Sequence, residues 1–242
     1  MGSKLHVGIL AAGKGSRMES KLPKVLHKLN GISLIDYVLN TASELNPDSI
    51  TLVVGFQKDL VKNHIKNNNI NYVSQDEQLG TGHAALQIER QLQNQEGHLL
   101  ILYGDVPNIK SNTLSPIINQ HIKEDRKATV ITATIEDPTG YGRIVRSKNG
   151  DLLRIVEEKD CTDDERKIKE WNPGIYIFKI PQLFNELKRI GSNNASNEYY
   201  LTDVIELIKE NSPIQAERIS NSSEVIGINT INQLSDLENH NQ

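Results

Sequence analysis

Cysteine is nearly absent from this 242-residue chain: Cys161 stands alone. One thiol excludes an intramolecular disulfide and any metal centre built on a cysteine cluster. It fits a reducing cytoplasm, the expected location. Excess basic charge is lacking too. There are 27 Lys and Arg against 31 Asp and Glu, a net charge of −4, so the chain is not built to coat nucleic acid or an anionic membrane. No apolar run approaches the ~18 residues of a membrane span, so no membrane insertion is expected. Met1-Gly2-Ser3-Lys4 leads straight into a strand-like segment with no signal-peptide core. No linker, internal repeat or low-complexity tract breaks the sequence, and the seven histidines form no close-spaced ligand pair.

What is present is alternation. Strands are expected at 5–10, 50–54, 71–74, 99–103 and 128–134, and helices at 34–45, 58–66, 82–92 and 111–123. Such alternation predicts an α/β sheet with parallel crossovers. The second half differs. A hairpin is expected around Asn149-Gly150, then a polar stretch at 160–169, a strand at 174–178 and a helix at 181–188. A loop at 191–197, a helix at 201–210, a strand at 214–216 and a closing helix at 230–239 complete the reading. The second half is read as an elaboration of the same sheet.

The sharpest motif follows the first strand: Leu10-Ala11-Ala12-Gly13-Lys14-Gly15-Ser16-Arg17-Met18. It lies where open α/β sheets bind ligands. Its glycines let backbone N–H groups approach a phosphate, and Lys14, Arg17 and Lys24 supply positive charge. It is not a P-loop, since Gly15 stands where a Ser or Thr hydroxyl is needed. It is not a dinucleotide fingerprint either, since Met18 stands where the third glycine is needed. Asp105 closes an apolar strand and suits a metal ligand facing phosphate, although Asp is equally common as a turn residue. Asn229 precedes a helix and reads from the sequence as an N-cap or turn residue. His83 reads as a structural helix-start residue, and Cys161 as incidental.

The 10–18 segment with Leu22-Pro23-Lys24-Val25-Leu26 resembles the signature of sugar-1-phosphate nucleotidyltransferases. Within that family it is most similar to the uridyltransferase half of bacterial bifunctional N-acetylglucosamine-1-phosphate uridyltransferase/glucosamine-1-phosphate acetyltransferases. The likeness recurs in order at 75–84, at 102–107, at Asp137-Pro138-Thr139-Gly140-Tyr141-Gly142-Arg143-Ile144, at 156–160 and at Glu198-Tyr199-Tyr200-Leu201-Thr202-Asp203.

The resemblance implies a Rossmann-like three-layer nucleotide-diphospho-sugar transferase fold. It has a mixed, mostly parallel central sheet, helices on both faces and a small sugar-binding hairpin elaboration. The nucleotidyltransferase domain would span 1–229, with a nucleotide half to about 110 and a sugar half to 229, and 230–242 would be a closing helix and tail. The substrates implied are UTP and N-acetylglucosamine 1-phosphate, with Mg²⁺ held by Asp105 and Asn229. Arg17 would hold the β- and γ-phosphates, and Lys24 would act near the α-phosphate. Leu10, Ala11, Ala12, Gly13, Gln75, Gln78, Gly80 and Thr81 would line the nucleotide site.

Tyr103, Gly142, Glu157, Asn172, Thr202 and Asn229 would meet the sugar, with Gly142 leaving room for the N-acetyl group. Tyr103 reads equally as core, and Thr202 equally as a helix N-cap. Pro173 replaces the family's usual Thr and removes a backbone N–H, which leaves open another nucleotide or sugar phosphate. A non-catalytic nucleotide-sugar-binding module is the remaining alternative. With no hexapeptide repeat after the closing helix, no left-handed β-helix, no acetyl transfer and no family trimer are expected. A monomer or weak dimer is expected instead.

Overall fold

The computed structural model describes residues 3–67 and 69–240. Of the expectations above, Met1-Gly2 and the final residues 241 and 242 lie outside the described residues. The first half runs β1 (Leu5–Ala11), β2 (Lys28–Leu29), β3 (Ile32–Ser33), α1 (Leu34–Glu44), β4 (Ser49–Val54), α2 (Lys58–His64), β5 (Ile70–Ser74), α3 (Thr81–Gln87), α4 (Glu89–Leu92), β6 (His98–Tyr103) and α5 (Ser111–Lys123). The second half runs β7 (Ala128–Thr134), β8 (Gly142–Arg146), β9 (Leu152–Val156), α6 (Asp163–Arg166), β10 (Glu170–Asn172), β11 (Tyr176–Lys179), α7 (Ile180–Leu187), α8 (Asp203–Lys209), β12 (Gln215–Arg218) and α9 (Ile231–His240).

One ten-stranded sheet carries strands from both halves. Its order is β5-β4-β1-β6-β11-β7-β10-β8-β9, with β12 also on β7. The three longest ladders, β1 with β4, β1 with β6 and β4 with β5, are parallel. β11 turns the direction, pairing antiparallel with both β6 and β7. The central strands are apolar on both faces because each face is covered. Along β1, Val7, Ile9 and Ala11 join one core with Ile35 and Val38 of α1 and Leu114 and Ile118 of α5. Leu10 joins the other with Ala84 of α3, Leu183 of α7 and Val204 of α8. Alternate side chains of one strand thus enter two cores, which makes the three layers.

Several elements depart from the sequence reading for local reasons. The expected helix at 82–92 splits into α3 and α4, because the amide of the fully buried Ile88 takes the carbonyl of Ala85 in a tighter turn. The polar stretch 160–169 contains α6, started by a capping box in which Thr162 accepts from Glu165 N and Glu165 accepts from Thr162 N. The strand expected from 174 starts at Tyr176, since Gly174 has φ +83° and cannot extend the ladder. The helix expected from 201 begins at Asp203.

Candidate functional site

The loops after β1 and β6 leave the sheet at its C-terminal edge, and a cavity of about 350 Å³ opens between them. Leu10, Ala11, Ala12 and Gly13 line it together with Gln75, Gln78, Gly80, Thr81 and Lys24. The nine residues from Leu10 to Thr81 that were expected to line the nucleotide site therefore share one space, whereas Arg17, expected at the β- and γ-phosphates, lies outside it. Gly15 has φ +63°, and a Cβ there would come within 2.6 Å of Lys24 Cβ. Only glycine turns the chain here and lets the Lys24 stem lie against it. Ser16, Val25, Ala84 and Glu198 also line the cavity; they were not among the expected site residues.

Gln75 is buried, and Nε2 donates to Gly80 O at 2.9 Å and meets His83 Nδ1 at 3.1 Å. Both amide protons are used internally, so the side chain keeps its Oε1 acceptor for a ligand. His83 accordingly has a positioning contact, on Gln75.

A second cavity, of about 270 Å³, adjoins the first. Tyr103, Gly142, Glu157, Asn172 and Asn229 line it, and Arg17 faces it. Lys24, Thr81, Tyr103 and Asp105 line both cavities. The C-terminal segment reaches this junction because Ile228 N donates to Asp105 O at 2.9 Å. Lys24 Nζ donates to Asp105 Oδ2 and, at 3.0 Å, to Asn229 Oδ1. Arg17 Nη2 donates to the same Asn229 oxygen at 2.9 Å. Arg17 thus stands on the second cavity, at Asn229. Asn229 does not cap α9: its N–H donates to Gln233 Oε1, and Thr230 Oγ1 accepts from Gln233 N.

Thr202 holds the N-cap position of α8, but its hydroxyl makes no cap. It donates to Glu157 Oε1 at 3.1 Å instead. Burial pushes the Glu157 carboxyl up to about 7, with Asp203, Asp160 and Glu198 adding to the rise. Burial likewise raises Asp203 to about 6. Thr202 lines an acid-rich cleft on the far side of Glu157, so it touches the sugar-side cavity through Glu157. The Tyr103 phenol hydrogen-bonds Thr81, and burial beside Glu157 pushes it well above its usual range.

Gly142 serves packing. A Cβ there would meet Ile155 Cγ2 at 3.3 Å and Val156 O at 3.4 Å. Gly142 also lines the second cavity, so the hairpin presses on the position that its missing side chain leaves open. A larger cavity of about 720 Å³ lies at the opposite edge of the sheet, beside Lys4 and His98. There Lys179 is paired with Asp125, and Lys4 donates to the Gln95 amide oxygen.

The residues fit a hard divalent cation. A carboxylate oxygen of Asp105 and an amide oxygen of Asn229 converge on a single point, the Lys24 ammonium, which is itself a cation. Among the described residues no group of three or more His, Cys, Asp and Glu could hold a metal. Any metal here would therefore draw its remaining ligands from substrate oxygens and water.

A mixed α/β sheet with a two-part cleft at its C-terminal edge defines a nucleotide-sugar transferase fold. The crystal structure of UDP-glucose pyrophosphorylase complexed with UDP-glucose superimposes with a TM-score of 0.81, covering 98% of both chains at 19% identity. The family profile "Nucleotidyl transferase" matches residues 7–223, and the chain belongs to that family. It is 45% identical over 229 residues to the bifunctional protein GlmU of Acetivibrio thermocellus and 42% identical over 230 residues to that of Clostridium botulinum (strain Loch Maree / Type A3). The GlmU protein of Streptococcus pyogenes serotype M3 is 43% identical over 222 residues. These matches cover 91–95% of this chain but 48–50% of the relatives, so the chain spans about half their length. No described helix is long and apolar enough to cross a membrane.

Proposed function

We propose that the chain transfers uridylyl from UTP to N-acetylglucosamine 1-phosphate, releasing pyrophosphate and leaving UDP-N-acetylglucosamine, in the cytoplasm. The observation that carries this reading is the sharing of Lys24, Thr81, Tyr103 and Asp105 by two abutting cavities. A nucleotide in one and a sugar phosphate in the other would bring their phosphates together at the two charged residues of that set.

Several features support the pairing. Gln75 offers only an acceptor, which suits the N3–H of uracil and has nothing to receive from cytosine at that position. Glu157 can accept from sugar hydroxyls, and Asn172 can pair with an acetamido group. A phosphate oxygen of the sugar phosphate attacks the α-phosphorus of UTP. The new P–O bond forms as the bond from the α-phosphorus to the bridging oxygen of pyrophosphate breaks. The attacking oxygen is already ionised, so no general base is required, and alignment with charge neutralisation supplies most of the acceleration.

Lys24 lies at the junction and stabilises charge on the reacting phosphates, and Arg17 adds a second cation at the edge. Asp105 and Asn229 would hold Mg²⁺, which supplies Lewis-acid neutralisation of phosphate charge when bound.

The test is a matrix of nucleoside triphosphates against sugar 1-phosphates, read as pyrophosphate release. The expected result is turnover with UTP and N-acetylglucosamine 1-phosphate in Mg²⁺, and at least about 100-fold less with CTP. Tight nucleotide-sugar binding without turnover for any pair overturns the reading. A second reading, the same transfer onto a neutral hexose phosphate, rests on Pro173 in the wall of the second cavity. The same matrix separates the two.

A further inference from the structure

Asn172 ends β10, and the chain then turns through Pro173 and Gly174 into β11. The turn folds Asn172 back on itself. Its Oδ1 accepts from Gly174 N at 3.1 Å, and its Nδ2 donates to the Tyr176 hydroxyl at 2.6 Å. The first contact is an Asx turn. Gly174 has φ +83°, and a Cβ on it would come within 2.5 Å of the Tyr103 ring. Tyr176 is 1% exposed, and its ring stacks on Phe178 at 5.5 Å between centroids.

The Gly174 N–H decides which way the Asn172 amide points, and the Tyr176 hydroxyl holds it there. With Oδ1 toward Gly174 and Nδ2 toward Tyr176, both bonds are made. A flipped amide would set its NH₂ against the Gly174 N–H, donor against donor. Asn172 is 8% exposed and lines the second cavity. It retains one N–H and one oxygen lone pair for a ligand. An acetamido substituent offers one C=O and one N–H, so a fixed amide can meet it with both. A free-turning amide loses part of that advantage to entropy.

We propose that Tyr176 is a positioning residue for sugar selectivity: its buried hydroxyl locks the Asn172 amide in the orientation that favours an N-acetylated sugar phosphate over one bearing a hydroxyl. This rests on the sugar-side reading of the second cavity given above. Tyr176 touches no substrate and acts through Asn172. Its sequence signal is weak, because a tyrosine in an apolar strand reads simply as core.

The test compares Tyr176→Phe, Asn172→Ala and the double variant. Tyr176→Phe removes one oxygen and keeps the ring, so the packing against Phe178 survives. It is expected to raise KM for N-acetylglucosamine 1-phosphate about 10-fold, the scale of one lost hydrogen bond. The value of kcat should stay within about twofold, and KM for UTP and for glucose 1-phosphate should be unchanged. In the Asn172→Ala background the same change should add nothing, since the residue it positions is gone.

An equal rise for both sugars, no rise, or effects that multiply in the double variant overturn the proposal. If the wild-type chain does not use N-acetylglucosamine 1-phosphate, the functional reading fails separately. The lock is then read from the Asn172 side-chain NH₂ resonances, assigned by their loss in Asn172→Ala. One proton should be protected from exchange in the wild type and lose that protection in Tyr176→Phe. Equal protection in both proteins overturns the lock.

Discussion

Arg17 and Asn229 lie 212 positions apart and meet through a 2.9 Å hydrogen bond from Arg17 Nη2 to Asn229 Oδ1. The bond joins the loop after the first strand to the segment before the last helix, across the mouth of the second cavity. Arg17 is exposed and belongs to a short 3₁₀ turn in which Met18 alone is buried. Arg17→Ala should therefore leave the thermal midpoint within about 2 °C while lowering kcat by about 100- to 1,000-fold, the usual cost of removing one charge-stabilising donor. Pyrophosphate release beside a melting curve checks both halves. Wild-type activity in this variant removes Arg17 from the machinery.

The second prediction concerns the cation place between Asp105 and Asn229. Lys24 Nζ holds Asp105 Oδ2 and Asn229 Oδ1, so a metal bound there would share these oxygens with the ammonium or compete for them. Chelation of divalent metal should abolish pyrophosphate release, and added Mg²⁺ should restore it. In Asp105→Ala added Mg²⁺ should fail to restore it. Metal-independent turnover of the wild type would show that the protein's own cations supply the neutralisation.

Gly15 and Gly13 stand two residues apart in one motif and should respond differently to alanine. Gly15 has φ +63°, and its Cβ would strike Lys24, whereas a Cβ on Gly13 meets nothing within 4 Å. Gly15→Ala should cost about 1–3 kcal/mol, or a fall in melting temperature of roughly 2–12 °C for a chain of this size. It should also raise KM for UTP by displacing Lys24. Gly13→Ala should leave stability within about 0.5 kcal/mol. Equal melting temperatures in the two variants would contradict the packing of Lys24 on Gly15.

Much of the scaffold was legible because its elements bury themselves. The helix at Ser111–Lys123 and the strand at Ala128–Thr134 have the bounds read from their apolar periodicity. The hairpin of β2 and β3 was missed, although Asn30-Gly31 marks its turn with φ +49° and +84°. Strands of two residues are too short for a period. β10 was missed because Glu170-Trp171-Asn172 holds a single apolar residue, too few for a period to show; its strand form comes from pairing with β7 and β8. In the site, the motif after β1 announced itself by local spacing. Asn229 did not, because its partners Arg17 and Lys24 are more than 200 positions away, and only resemblance pointed to it. The role of His83 behind Gln75 was hidden for a different reason: a helix-start histidine looks alike with and without a partner.

Glu157 carries a pH signature. Burial raises its carboxyl from 4.5 to about 7. Between those values the folded chain holds a proton that the unfolded chain has released, so this group makes stability fall as pH rises. Glu157→Gln keeps an oxygen for the Thr202 hydroxyl and cannot ionise. Its melting temperature should gain on the wild type between pH 5 and pH 8. A difference between the two proteins that does not change with pH would place the Glu157 carboxyl in an ordinary, solvated setting.

The buried pair His98 and His121 gives the opposite slope. His121 Nε2 and His98 Nδ1 lie 2.9 Å apart, and His121 Nδ1 meets Thr129 Oγ1 at 2.8 Å. One proton serves the inter-ring contact, and a second charge would face its neighbour at that distance. Burial, then the neighbouring His98, push His121 from 6.5 down to about 3, and burial lowers His98 as well. Below pH 6.5 the unfolded chain takes up protons that the folded chain refuses. The stability these rings contribute is thus fully present above pH 6.5 and lost as pH falls toward 3, at about 1.4 kcal/mol per pH unit for one group. His121→Gln should be less stable than the wild type at pH 7, by about 1–3 kcal/mol for the broken buried contacts. It should lose less on acidification, so the two proteins should draw together by pH 5. Urea midpoints at pH 7 and pH 5 measure this, and parallel losses in both proteins would show that the pair is protonated in the fold.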